Sequence, residues 1–116
     1  MNVFENFRKA LVGKSLTSNL QAGMIGKGVS IPGPFGSKPL IYADYVASGR
    51  ALTQVENFIT NQVLPFYANT HTEASFCGAY STRLREAART EIAKLVGAET
   101  AHSVIFAGGG ATAAIN

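Results

Sequence analysis

The chain has 116 residues, 47% hydrophobic and 15% charged, with 12 glycines, 4 prolines, one cysteine, no tryptophan and a formal charge of +3. This composition belongs to folded protein rather than to a disordered segment, and the length allows one small domain with little room for an enclosed active site. Cys77 has no partner for an internal disulfide, no Cys/His cluster offers a metal site, and so small a positive charge, spread along the chain, argues against nucleic acid as a partner.

No apolar stretch approaches the roughly 20 residues of a membrane-spanning helix, and the N-terminus lacks the apolar core of a secretory signal. A soluble, cytoplasmic protein with no membrane partner is expected. Residues 1–18 set Val3, Phe4, Phe7 and Leu11 at helical spacing beside Arg8, Lys9 and Lys14. Organellar transit peptides share that pattern, but an N-terminal helix packing on the rest is the preferred reading.

Residues 22–39 hold Gly23, Gly26, Gly28, Gly33 and Gly36 with Pro32, Pro34 and Pro39, a density that predicts a loop. Residues 40–44, Leu-Ile-Tyr-Ala-Asp, predict a short strand entering a turn, with the Asp44 carboxylate accepting backbone N–H groups. Arg50 follows at a helix approach, where it would either meet a substrate carboxylate or, more commonly, lie on the surface. Thr53-Gln54-Val55-Glu56 matches a capping box, which opens a helix with Val55, Phe58, Ile59, Gln62 and Val63 on one face and Pro65 at its end.

The next predicted helix runs from about 81 to 96. It turns Leu84, Ala88, Ile92, Leu95 and Val96 inward and carries Arg83, Arg85, Arg89, Glu86 and Glu91 on a solvated face, with Gly97 as the left-handed cap. Cys77 reads as a small, half-buried residue and His102 as structural. Residues 103–107 predict a buried strand. Gly108-Gly109-Gly110 then leads into a helix starting at Ala111 or Thr112.

That last passage carries the most chemistry. A helix start leaves backbone N–H groups without partners at the positive end of the helix dipole, and small residues beside it let an anion such as phosphate approach closely. Thr112 adds a hydroxyl. Gly108-x-Gly110-x-x-Ala113 also fits the dinucleotide pattern, whose confirming acid would fall about 20 residues further on. The nucleoside-triphosphate loop pattern fails, because Gly13-Lys14-Ser15 has Arg8 in place of its first glycine.

Four motifs in order resemble the N-terminal part of the class V aminotransferases, the cysteine-desulfurase-like, fold-type-I enzymes that use pyridoxal 5′-phosphate. They are Ile41-Tyr42-Ala43-Asp44-Tyr45-Val46-Ala47-Ser48, Tyr67-Ala68-Asn69-Thr70-His71-Thr72-Glu73, the arginine-bearing helix ending Leu95-Val96-Gly97-Ala98, and Val104-Ile105-Phe106 leading to Gly110-Ala111-Thr112-Ala113-Ala114-Ile115-Asn116. The resemblance implies an α/β fold class, a truncated fold-type-I domain over residues 40–116, preceded by a helix and Gly/Pro-rich loop over residues 1–39. It places the cofactor phosphate on Gly110, Ala111 and Thr112 and the substrate pocket at Ala47, Ser48, Asn69 and His71. An amino acid is the implied substrate, and a homodimer the implied assembly of the parent protein.

Gly109 and Val46 depart from the family's usual residues, a hydroxyl or arginine donor at the first and an alanine at the second. The family also places its Schiff-base lysine and the carboxylate facing the pyridine nitrogen beyond this stretch, and Lys9, Lys14, Lys27, Lys38 and Lys94 do not lie in the expected context. The chain is therefore expected to be an N-terminal fragment, inert alone and holding no catalytic residue. The alternatives are a small nucleotide- or dinucleotide-binding module built on residues 108–113 and a non-catalytic interaction domain with a basic surface.

Overall fold

The computed structural model describes residues 4–12 and 15–115, so the expected contribution of Val3, the Gly13-Lys14 pair and the closing Asn116 lie outside the described residues. The chain divides into two units, one from Phe4 to Pro65 and one from Phe66 onward.

The first unit opens with two short helices, α1 (Glu5–Leu11) and α2 (Leu16–Gly23), in place of a single N-terminal helix. Ser15 starts the second: its Oγ accepts the Ser18 N–H at 3.4 Å, satisfying one of the orphan donors of a helix start. Phe4 and Phe7 lie against Phe58, with ring centroids 5.7 and 4.9 Å apart, so the helical spacing of these aromatics does serve packing.

The Gly/Pro-rich stretch is not simply a loop. It contains an antiparallel hairpin of β1 (Ser30–Gly33) and β2 (Gly36–Pro39), joined through Pro34 and Phe35. The Leu40 N–H donates to Val29 O at 2.7 Å, which sets the phase of the ladder. Pairs Ile31/Lys38 and Gly33/Gly36 then fall at hydrogen-bonded positions, while Ser30/Pro39 and Pro32/Ser37 fall at the alternate ones. Both strand prolines thus sit where the missing N–H costs the ladder nothing. Residues 40–44, expected as a strand, are irregular: beyond the single Leu40 bond to Val29 no ladder continues through them, and repeated backbone pairing is what makes a strand.

Helix α3 (Thr53–Phe58) follows, but without a capping box. Met24 forms an antiparallel bridge with Leu52, and the Ile25 N–H donates to Ala51 O at 2.9 Å. That pairing holds Leu52 extended at φ −119° and ψ 129°, so Leu52 becomes the N-cap and Thr53 the first helical residue. The chain remains helical beyond α3, as a π-helical stretch Ile59–Val63 and a 3-10 turn Leu64–Phe66, and Pro65 lies inside the last turn rather than past the end. The wider π turn rotates later residues about the axis and breaks the expected single face. Phe58 and Val63 are half-buried; Val55 and Ile59 are exposed.

The second unit is organised by α4 (Phe76–Leu95), which begins at Phe76 rather than near residue 81. Ser75 caps it, its Oγ accepting the Gly78 N–H at 3.1 Å. At the other end Gly97 adopts φ 66°. Its N–H donates to Lys94 O at 3.3 Å and that of Ala98 to Ala93 O at 2.9 Å, the paired bonds of a Schellman cap.

Leu84 and Ala88 are half-buried, but Leu95 is 84% exposed and Val96 69%, against the expected inward face. Residues 103–107, expected as a buried strand, also lack a ladder partner and are irregular. The glycine turn therefore joins an irregular segment, not a strand, to α5 (Gly110–Ile115). Among the described residues, helices with one two-stranded sheet are compatible with a fragment of an α/β protein. No helix among the described residues is long and apolar enough to cross a membrane.

Candidate functional site

One face of α4 receives the loop that carries Asn69 and His71. The Ala68 N–H donates to Ser81 Oγ at 3.2 Å, and the Ser81 hydroxyl reaches back to Phe66 O at 3.5 Å. One residue along, Thr82 Oγ1 accepts the His71 N–H at 3.0 Å and donates to Gly78 O at 2.9 Å. Gly78 is buried, and a Cβ there would run into Thr72. The loop can approach the helix because the third residue of α4 has no side chain.

His71 is held with φ 67°, the one left-handed non-glycine residue among those described. Such a backbone costs an L-residue about 1 kcal/mol or more, and the Thr82 bond helps to hold it. The ring is held as well. Arg85 Nη1 lies 3.1 Å from His71 Nε2 and 3.4 Å from Thr70 Oγ1. A guanidinium only donates, so a hydrogen bond at this contact takes Nε2 as its acceptor. Asn69 and His71 are both exposed, so an incoming molecule has access to them.

Arg85 and Arg89 are not on a solvated face. Their guanidiniums lie 5.6 and 5.4 Å from the centre of the Phe106 ring, and Arg89 Nε donates to Val104 O at 2.9 Å. Both are half-buried, and of the three arginines only Arg83 is exposed. The sequence held a usable signal for this: a four-residue spacing puts two arginines on one stripe of a helix, and a phenylalanine in the next apolar run offers a ring face.

The glycine turn belongs to the same unit. Gly110 begins α5 with φ 76°, and a Cβ at Gly109 or Gly110 would meet nothing within 4 Å. The first amides of α5 have no intrahelical acceptor, and Ala111 and Thr112 are exposed. No hydrogen bond, ion pair or ring contact joins this turn to the Asn69–His71 loop among the described residues.

Ala47 and Ser48 lie in the first unit, in a tight turn. Their N–H groups donate to Asp44 O at 3.2 and 3.1 Å, and the Tyr42 hydroxyl donates to Ser48 O at 2.7 Å and also lies 3.1 Å from Asp44 O. It is the Asp44 carbonyl, not the expected carboxylate, that receives these bonds. Val46 is 102% exposed. Arg50 departs from the surface reading: it is half-buried, donates to Ile25 O at 3.0 Å and stacks 5.0 Å from the centre of the Tyr42 ring. His102 Nδ1 accepts the Glu99 N–H at 3.3 Å, closing a turn.

A family model, aminotransferase class-V, matches residues 41–116, about two thirds of the chain. The chain belongs to the class-V aminotransferases. Members of this family are typically pyridoxal-phosphate enzymes, and in this class-V aminotransferase chain the match takes in Ala47, Ser48, Asn69, His71 and the turn Gly110-Ala111-Thr112. It leaves α1, α2 and the β1–β2 hairpin outside. No curated protein and no solved structure matches the chain.

Proposed function

We propose that this chain is the N-terminal portion of a fold-type-I, cysteine-desulfurase-like enzyme that uses pyridoxal 5′-phosphate to act on an amino acid. The observation that carries the reading is the family match over residues 41–116, which spans both the His71 loop and the glycine turn. Residues 40–116 form the start of the catalytic domain, and residues 1–39 precede it in sequence, with Phe4–Pro65 forming one unit. The parent enzyme is a cytoplasmic homodimer, and this portion is inert alone.

The glycine turn suits the cofactor's phosphate. Gly110 takes a backbone angle that side chains disfavour, open space lies beside it and Gly109, and the first amides of α5 are unpartnered within the helix. Gly110, Ala111 and Thr112 would hold the phosphate through backbone N–H groups and the Thr112 hydroxyl. When bound, pyridoxal phosphate supplies an electron sink for the bonds at the substrate's α-carbon. Asn69 and His71 meet the substrate, and Ala47 and Ser48 line the pocket.

The dinucleotide alternative is less well supported, since its motif needs a strand before the glycines and residues 103–107 form none. Reconstitution of the enzyme containing this chain tests the proposal. A lysine-linked pyridoxal chromophore is expected, and Thr112→Val should weaken cofactor retention by about tenfold through loss of one bond to a charged group. If no such chromophore forms, the proposal fails.

A further inference from the structure

The first unit contains a cavity of about 280 Å³ that the cofactor reading leaves unused. Its walls include Met24, Leu40, Tyr42 and Tyr45, and its charged lining consists of Lys27 and Arg50, with no acidic residue among the lining side chains. The two rings meet edge to face at 5.1 Å, and the Tyr45 hydroxyl reaches Met24 Sδ at 3.1 Å, so the apolar wall is braced from within the unit.

Arg50 is fixed by one bond to Ile25 O and by the Tyr42 ring. A guanidinium has five N–H donors, so most of its hydrogen-bonding capacity is left for something else. The Lys27 backbone N–H donates to Met24 O at 3.3 Å, while its ammonium has no ion-pair or hydrogen-bond partner among the described residues. The approach of Arg50 also depends on a glycine: a Cβ at Gly26 would overlap its Nη2, and Gly26 has φ 88°. Two cations that border one aromatic and aliphatic cavity, with no carboxylate among its lining residues, give it a positive field that favours an anion.

We infer that this cavity is a binding site for a small organic anion, a carboxylate or phosphate ester on a compact apolar body, clamped by Arg50 and Lys27. The volume, about 280 Å³, falls just below the roughly 300–1,000 Å³ span of ligand pockets and so selects a small molecule. Guanidinium and ammonium suit either anion. The inference does not depend on the pyridoxal reading, because its residues and its test make no use of the cofactor.

The test is titration of the enzyme containing this chain with benzoate, phenyl phosphate and benzyl alcohol, followed by calorimetry and by amide shifts at Gly26 and Gly28. Saturable binding of at least one anion at millimolar or lower concentration is expected, with benzyl alcohol inactive. Which of the two anions binds more tightly separates a carboxylate ligand from a phosphate ester. Lys27→Gln and Arg50→Gln should each weaken binding about tenfold, as loss of a charge-assisted bond implies, while Lys9→Gln, at a residue paired with Glu5 on α1, should not. Lys27 is exposed, so its replacement tests the site without disturbing packing. Failure of both anions to bind, equal binding of benzyl alcohol, or unchanged affinity in Lys27→Gln would overturn the inference.

Discussion

At the scale of single residues, His71 concentrates the most constraint. Its left-handed backbone, the Thr82 bond to its N–H and the Arg85 contact to its ring all act on a residue that remains exposed. Strain kept at an accessible side chain is a reason to expect function there. Replacing His71 by glycine or by alanine removes the ring equally, but only glycine relieves the backbone. His71→Gly should therefore be more stable than His71→Ala by about 1 kcal/mol in urea denaturation of the enzyme containing this chain. Thr82→Val tests the other anchor. It leaves the His71 N–H without its acceptor at a cost of about 1–2 kcal/mol, and hydrogen exchange at the His71 amide should speed up accordingly. Asn69 and His71 could be singled out in the sequence because motif residues are local. Thr82 and Arg85 could not, because their role comes from a loop folding back on the helix.

At the scale of elements, the ends of α4 show what local chemistry can and cannot foretell. Gly97 was readable as the cap because a helix that stops needs a left-handed residue at that place, and the two bonds to Ala93 and Lys94 fulfil it. Gly97→Ala should cost about 1 kcal/mol, since alanine pays for φ > 0 in strain; loss of exchange protection at the Ala98 amide would check it. The start was harder to read, because Gly78 looks like a loop residue until Thr72 is seen packed where its side chain would be. The hairpin repeats the lesson. Proline content argues against a strand, but what decides is whether each proline falls on a bonded or an unbonded pair, and register is a property of two strands together.

At the scale of the whole molecule, no large apolar side chain among the described residues is buried, and the accessible surface is 9015 Å². Two independent compact units of half the mass each would expose roughly 7,300 Å² in all, so the excess is internal to the units themselves. Leu95, Val96, Ile41 and Ile105 are among the apolar residues left in contact with water. The chain on its own should bind a solvatochromic dye such as ANS strongly and lose its secondary structure over a broad urea range rather than in one sharp transition; weak dye binding with a sharp transition would contradict this. The order of the family motifs, the cap at Gly97 and the helix that follows the glycine turn were legible from local spacing alone, because each depends on residues a few places apart. Only the tertiary structure decided that residues 40–44 and 103–107 form no strands, that Arg85 and Arg89 flank Phe106, and that Arg50 meets Ile25 and Tyr42. A strand needs a neighbour and a guanidinium needs a ring or a carbonyl. Those partners come from distant parts of the chain, and only folding brings them within reach.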